Sequence, residues 1–184
     1  SASTCLRLAL VTGTAILRQG AQPGDGLYVT GELGGSSLKK HLQFEPRVDE
    51  GIFLRDWARA MMDISDGLAT DSHHLADRSN VGLRIESQRL PVSRDATLMY
   101  DAHSPLHHAL TDGEDFELLF CVAPEKESAF QSAWKETFDL PCTRIGDVTD
   151  ASGCVVCMDA SGQVQPLGNE GFTHFRHTTD RSAS

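Results

Sequence analysis

No stretch of the 184 residues approaches the roughly 20 consecutive apolar positions a helix needs to cross a bilayer. The first residues also lack the basic-then-apolar order of a secretory signal, so a cytoplasmic protein is expected. Basic residues are scarce: 16 Lys and Arg stand against 26 Asp and Glu, a formal net charge of -10. Such a charge repels nucleic-acid phosphates and anionic lipid unless metal ions or a local basic patch intervene, so neither nucleic acid nor a membrane is an expected partner. Lys39, Lys40 and Arg144 are too few to build a nucleic-acid surface. Five scattered cysteines make a poor disulfide framework. Cys154 and Cys157 do form a C-x-x-C, but a structural zinc site needs a second close pair. Cys5, Cys121 and Cys142 lie far apart, so the cysteines read as strand residues. The pattern G-x-x-x-x-G-K-[ST] does not occur, and Gly24, Gly26 and Gly31 do not make G-x-G-x-x-G.

With 40% hydrophobic and 23% charged residues, the chain has the composition of an ordinary globular domain with a substantial core. Leu27 to Thr30 forms a β-rich run between glycines, and Ser36 or Ser37 can cap a short helix after it. "QFEPRVDEG" is polar, holds Pro46 and reads as a connection. Ile52, Phe53 and Trp57 follow at helical spacing. "VGLRI" reads as a strand, with a possible helix at Arg94 to Asp101. "DFELLFCVA" is apolar on both faces, which predicts an interior strand. Pro124 ends it and opens a helix whose stripe is Phe130, Trp134 and Phe138. "TRIGDVT", "CVVCM" and "QVQPL" supply three further strands. Strands and helices mix without a strict βαβ rhythm, so the expected class is α+β, a mixed sheet layered with helices.

Two acidic turns carry the chemistry. In "AMMDISDGLATD" a strand gives way to a helix whose apolar positions Leu68, Ala69, Ser72, Leu75 and Ala76 share one face. Ser65 or Asp66 can cap that helix, and capping alone would account for acids at its start. The functional reading makes Asp63 and Asp66 ligands of a divalent metal, with Ser65 and nearby amides approaching a phosphate. Bare carboxylates would repel a polyphosphate, so such a site needs Mg²⁺ between them. In "ALTDGEDFELLF", Asp112, Glu114 and Asp115 surround Gly113 just before the interior strand. Asp-Gly followed by acids is also a common solvated turn. The histidine pairs His73-His74 and His107-His108 read as surface residues, because adjacent helical positions point in different directions.

These segments, with "GDGLYVTGELGGSSL", "KKHLQFEPRV", "RIGDVT" and "GFTHF", follow in order the pattern of the second half of the thiamine-monophosphate kinase family. That family belongs to the aminoimidazole ribonucleotide synthetase superfamily, with selenophosphate synthetase and a hydrogenase maturation protein. The resemblance implies the fold of that superfamily's C-terminal domain over residues 21–176, with 1–20 an interdomain remnant and 177–184 a disordered tail. It implies transfer of the γ-phosphoryl of ATP to thiamine monophosphate with Mg²⁺. By the same match Asp63 and Asp66 are Mg²⁺ ligands, Ser65 is an ATP contact, and Glu114 and Phe172 touch the substrate. His41 matches a family position without a role. An N-terminal half carrying further metal ligands and the nucleotide-binding region is the implied partner, and it forms the family's dimer, so a homodimer is possible. The isolated chain is expected to be inactive. Two departures stand out: Asp112 replaces the first glycine of the usual Gly-Gly-Glu-Asp, and "LGGSS" replaces Leu-Gly-Asp-Ser. The alternatives are a stand-alone, non-catalytic phosphate-binding module or another superfamily member such as selenophosphate synthetase. "GFTHF" and "GEDFELLF" favour the thiamine enzyme.

Overall fold

The computed structural model describes residues 16–35, 46–99 and 103–168. Phe172, His41, Ser36, Ser37, Lys39, Lys40 and Cys5 lie outside them. In chain order the elements are β1 (Gly26–Thr30), α1 (Val48–Phe53), β2 (Ala58–Asp63), α2 (Leu68–Ser79), β3 (Gly82–Glu86), α3 (Arg94–Thr97), α4 (Pro105–Thr111), β4 (Leu118–Val122), α5 (Glu127–Thr137), β5 (Cys142–Thr149), β6 (Val155–Met158) and β7 (Val164–Pro166). The strands form one sheet in the order β2-β4-β1-β5-β3-β6-β7. Its pairs are antiparallel except β3 with β6, so the sheet is mixed, as expected.

Period-two alternation sorts the two faces. Leu27 and Val29 of β1, Ala60 and Met62 of β2, and Leu119 and Cys121 of β4 pack with Leu68, Leu75, Ala76 and Leu110 of α2 and α4. Tyr28, Phe120 and Val122 point the other way, onto Leu54, Phe130 and Trp134. β4 is therefore buried on both faces between β2 and β1, as its apolar run predicts. On β5, Ile145 and Val148 face the same core despite their odd spacing. Leu27 pairs with Gly146 and Tyr28 with Arg144, so Ile145 is the extra residue of a bulge that resets the alternation.

One expectation changes, and two local features are added. "VDEGIF" is helical rather than a connection, and its Ile52 is exposed while Phe53 packs inward. "AMMDI" makes an edge strand among the described residues, although Leu17 O accepts the Met61 N–H at 3.0 Å on its outer side. The residues around His107-His108 are helical: the Ser104 side chain caps the helix by accepting the His107 N–H, and Pro105 occupies the first turn. Among the described residues, no helix is long and apolar enough to cross a membrane.

Candidate functional site

The two acidic turns are built against each other. Past the end of β2, Ile64 N–H donates to Glu117 O at 2.8 Å, Phe116 N–H to Ile64 O at 3.0 Å, and Glu114 N–H to Ser65 O at 3.0 Å. The pairing of β2 with β4 thus continues into both motifs. Two glycines permit the approach. A Cβ on Gly113 would sit 2.7 Å from Ser65 O, and one on Gly67, whose φ is 96°, would sit 2.8 Å from Thr111 O. Glu114 and Phe116 adopt φ of 67° and 54°, left-handed angles that cost a non-glycine residue about 1 kcal/mol or more each. Backbone held there against its preference is a mark of functional loops.

The acids then divide into those held and those presented. Asp115 is buried, and its carboxylate accepts the N–H groups of Gly34 and Gly35 at 2.8 and 3.3 Å. Glu117 is buried too. It accepts a two-pronged interaction from Arg47 at 2.9 and 2.8 Å and the Thr30 hydroxyl at 2.7 Å. Asp112 faces His108, whose Nδ1 lies 3.1 and 3.0 Å from its carboxylate oxygens. His108 is buried, so the surface reading fails for it: a packed helix gives the ring a carboxylate partner instead of water. Asp66 and Glu114 are exposed. The Asp63 side chain is 35% exposed, and its Oδ1 lies 3.8 Å from an Arg18 guanidinium nitrogen.

The predicted caps of α2 are not Ser65 or Asp66. The N-cap position is Gly67, which has no side chain to offer. Asp71, inside the first turn, reaches back instead: its Oδ2 accepts the N–H groups of Ser65 and Asp66 at 2.9 and 3.0 Å. Its carboxylate is 1% exposed. Burial pushes the Asp71 carboxyl above its ordinary range, against the pull of those two amides. Asp71 Oδ1 lies 3.5 Å from His74 Nδ1, and Asp66, Asp71 and His74 each offer a ligand atom within 4.8 Å of the others. Sequence reasoning assigned Asp71, Asp115, Glu117, Arg47 and Thr30 no role. The signal for Asp71 was its place four residues after a helix-opening glycine. For Thr30 and Arg47 the chain carries no local signal.

Residues 22–158 match the family model described as "AIR synthase related protein, C-terminal domain". The chain belongs to that family. A curated thiamine-monophosphate kinase from Rhodopirellula baltica is 39% identical over 162 residues, covering 86% of this chain and 50% of that protein. A crystal structure of thiamine-monophosphate kinase from Stenotrophomonas maltophilia superposes with a TM-score of 0.68 at 31% identity, covering 82% of this chain and 54% of that one. A structure described as AaThiL complexed with AMPPCP and TMP superposes with a TM-score of 0.62 at 33% identity, covering 80% and 51%. The chain spans about half the length of the curated relatives it matches, and it corresponds to their C-terminal half. The expected α+β superfamily fold is thereby shown.

Proposed function

We propose that this chain is the C-terminal domain of a thiamine-monophosphate kinase, a phosphotransferase of thiamine diphosphate biosynthesis that converts ATP and thiamine monophosphate to ADP and thiamine diphosphate. The observation that carries the reading is the mutual locking of the two acidic turns, which leaves Asp66 and Glu114 at the surface beside Asp63 and Ser65. The relative complexed with AMPPCP and TMP supports it, since AMPPCP is an analogue of a nucleoside triphosphate.

In this reading Asp63 and Asp66 bind Mg²⁺. The donors suit that ion: carboxylate oxygens are hard ligands, and both groups have solvent access. Mg²⁺ supplies neutralisation of the charge on the transferred phosphoryl group. Ser65 contacts ATP, while Glu114, held at an unusual backbone angle by its bond to Ser65 O, and Phe172 contact thiamine monophosphate. An aromatic face suits the cationic thiazolium. The remaining metal and nucleotide contacts come from the other half of the full-length protein, and the working enzyme is a cytoplasmic homodimer.

The test is the full-length protein, assayed for Mg²⁺- and ATP-dependent phosphorylation of thiamine monophosphate. Asp66→Asn is expected to lower turnover about 1000-fold, equivalent to about 4 kcal/mol of barrier. Unchanged turnover would exclude the metal role of Asp66. No activity in the wild-type full-length protein would favour a non-catalytic module instead.

A further inference from the structure

We infer that Asp71 is a positioning residue for the acidic turn: its buried carboxylate fixes the backbone of Ser65 and Asp66 and so sets where the Asp66 carboxylate stands. The inference rests on the reading of Asp66 as a metal ligand given above.

Burying a carboxylate costs several kcal/mol, far more than a serine or threonine at the N-cap would. The fold cannot take that cheaper route. A Cβ at residue 67 would press on Thr111 O at 2.8 Å, and the φ of 96° there disfavours any side chain. The acceptor therefore comes from one turn inside α2. What it accepts is telling: Asp71 Oδ2 takes the amides of Ser65 and Asp66, which precede the helix, at 2.9 and 3.0 Å. On its other side the Ser65 carbonyl accepts the Glu114 N–H. The turn is thus gripped from helix and loop at once. One Asp71 carboxylate oxygen stands within 4.8 Å of ligand atoms on Asp66 and His74, so the anchor also adjoins the carboxylate it orients. A ligand held in place by a neighbouring hydrogen-bonding group typically loses 10- to 100-fold in metal affinity, roughly, when that group is removed. Asp71 belongs to the quoted "DISDGLATD" run but makes its contribution through backbone amides, not through substrate.

The experiment uses the ¹⁵N-labelled full-length protein, with hydrogen exchange at the Ser65 and Asp66 amides and Mn²⁺ as a paramagnetic probe that broadens signals near bound metal. Asp71→Ala is expected to speed exchange of both amides about tenfold or more. It should also weaken Mn²⁺ broadening at Asp66 about 10- to 100-fold in concentration. Asp71→Asn keeps one oxygen acceptor; it should retain amide protection and bind Mn²⁺ at least about fivefold more tightly than Asp71→Ala. Asp71→Glu keeps the charge but moves the acceptor by one methylene, so it should lose protection and affinity together. It decides the matter should the alanine variant fail to fold. Wild-type protection in Asp71→Ala, wild-type Mn²⁺ affinity in Asp71→Glu, or an Asn variant as weak as Ala despite intact protection would each overturn the positioning role. Asp66→Asn serves as the control. If it leaves Mn²⁺ broadening unchanged, the metal reading fails by itself, and amide protection still judges whether Asp71 holds the turn.

Discussion

Asp112 illustrates how much a single backbone angle settles. A glycine is usual at this place in the resembled family, and its loss would matter if the position required φ above zero. Here Asp112 has φ of −68°, which any residue adopts, and its carboxylate is placed on the buried His108. The glycine that geometry demands is the next one, Gly113, where a side chain would collide with Ser65 O. The cysteines make a second argument at this scale. Burial pushes the Cys157 thiol up to about 11 and Cys142 up to about 12, and raises buried Cys121 as well. Only about one part in a thousand of the Cys157 thiol is then thiolate at pH 8, and less of Cys142. Cys154 is exposed. Iodoacetamide at pH 8 should therefore modify Cys154 well before the other three described cysteines, with peptide mass spectrometry as the readout. Labelling should rise for Cys142 and Cys157 as the pH climbs toward those values. Equal rates at pH 8 for Cys142 and Cys154 would contradict the burial. Cys121, Cys142 and Cys157 lie in strands, in line with the expectation drawn from their spacing, whereas Cys154 departs from it: it is exposed in the turn just before β6.

Among the elements, α5 shows periodicity working as it should. Phe130 and Trp134 enter the aromatic cluster with Tyr28 and Phe120, and Phe130 meets the Tyr28 ring edge-on at 5.3 Å between centroids. Phe130→Ala empties a fully buried position and should cost about 3–5 kcal/mol, measured by urea unfolding followed by tryptophan fluorescence. A loss below about 1 kcal/mol would mean that the cluster collapses around the vacancy. The short helices were harder to read. In α1 the residues 48–53 carry two acids and a glycine, and no buried residue marks a stripe. In α4 the Ser104 cap and Pro105 were a usable signal, yet seven residues hold too little periodicity to separate a helix from a turn. Helix α2 was legible in its apolar face, since Leu68, Ala69, Ser72, Leu75 and Ala76 are all buried. Its capping was not, because Asp71 acts from inside the helix.

For the whole molecule, the sheet order decides what the site contains. β2 and β4 are far apart in sequence but adjacent in space, with Asp63 opposite Leu118, and that adjacency brings the Ser65 and Glu114 turns together. Thr30, at the end of β1, meets Glu117 through the pairing of β1 with β4, and Arg47, before α1, reaches it with its side chain. The chain spans about half the length of the curated relatives it matches, and the proposed function has its nucleotide contacts completed by the other half. Calorimetry on the isolated chain with Mg²⁺ and ATP should accordingly show weak binding or none. Micromolar affinity would overturn that division of the site. The sequence by itself determined the strands, the helical stripes of α2 and α5, and the two acidic turns, because period and turn chemistry are local properties of neighbouring residues. Only the tertiary structure decided which acids are spent internally and which face solvent: Asp71, Asp112, Asp115 and Glu117 are held, while Asp66 and Glu114 are presented. The reason is physical. A carboxylate's partners here are amides, a guanidinium and an imidazole set by strand order and helix packing, and strand order is not written in any local window.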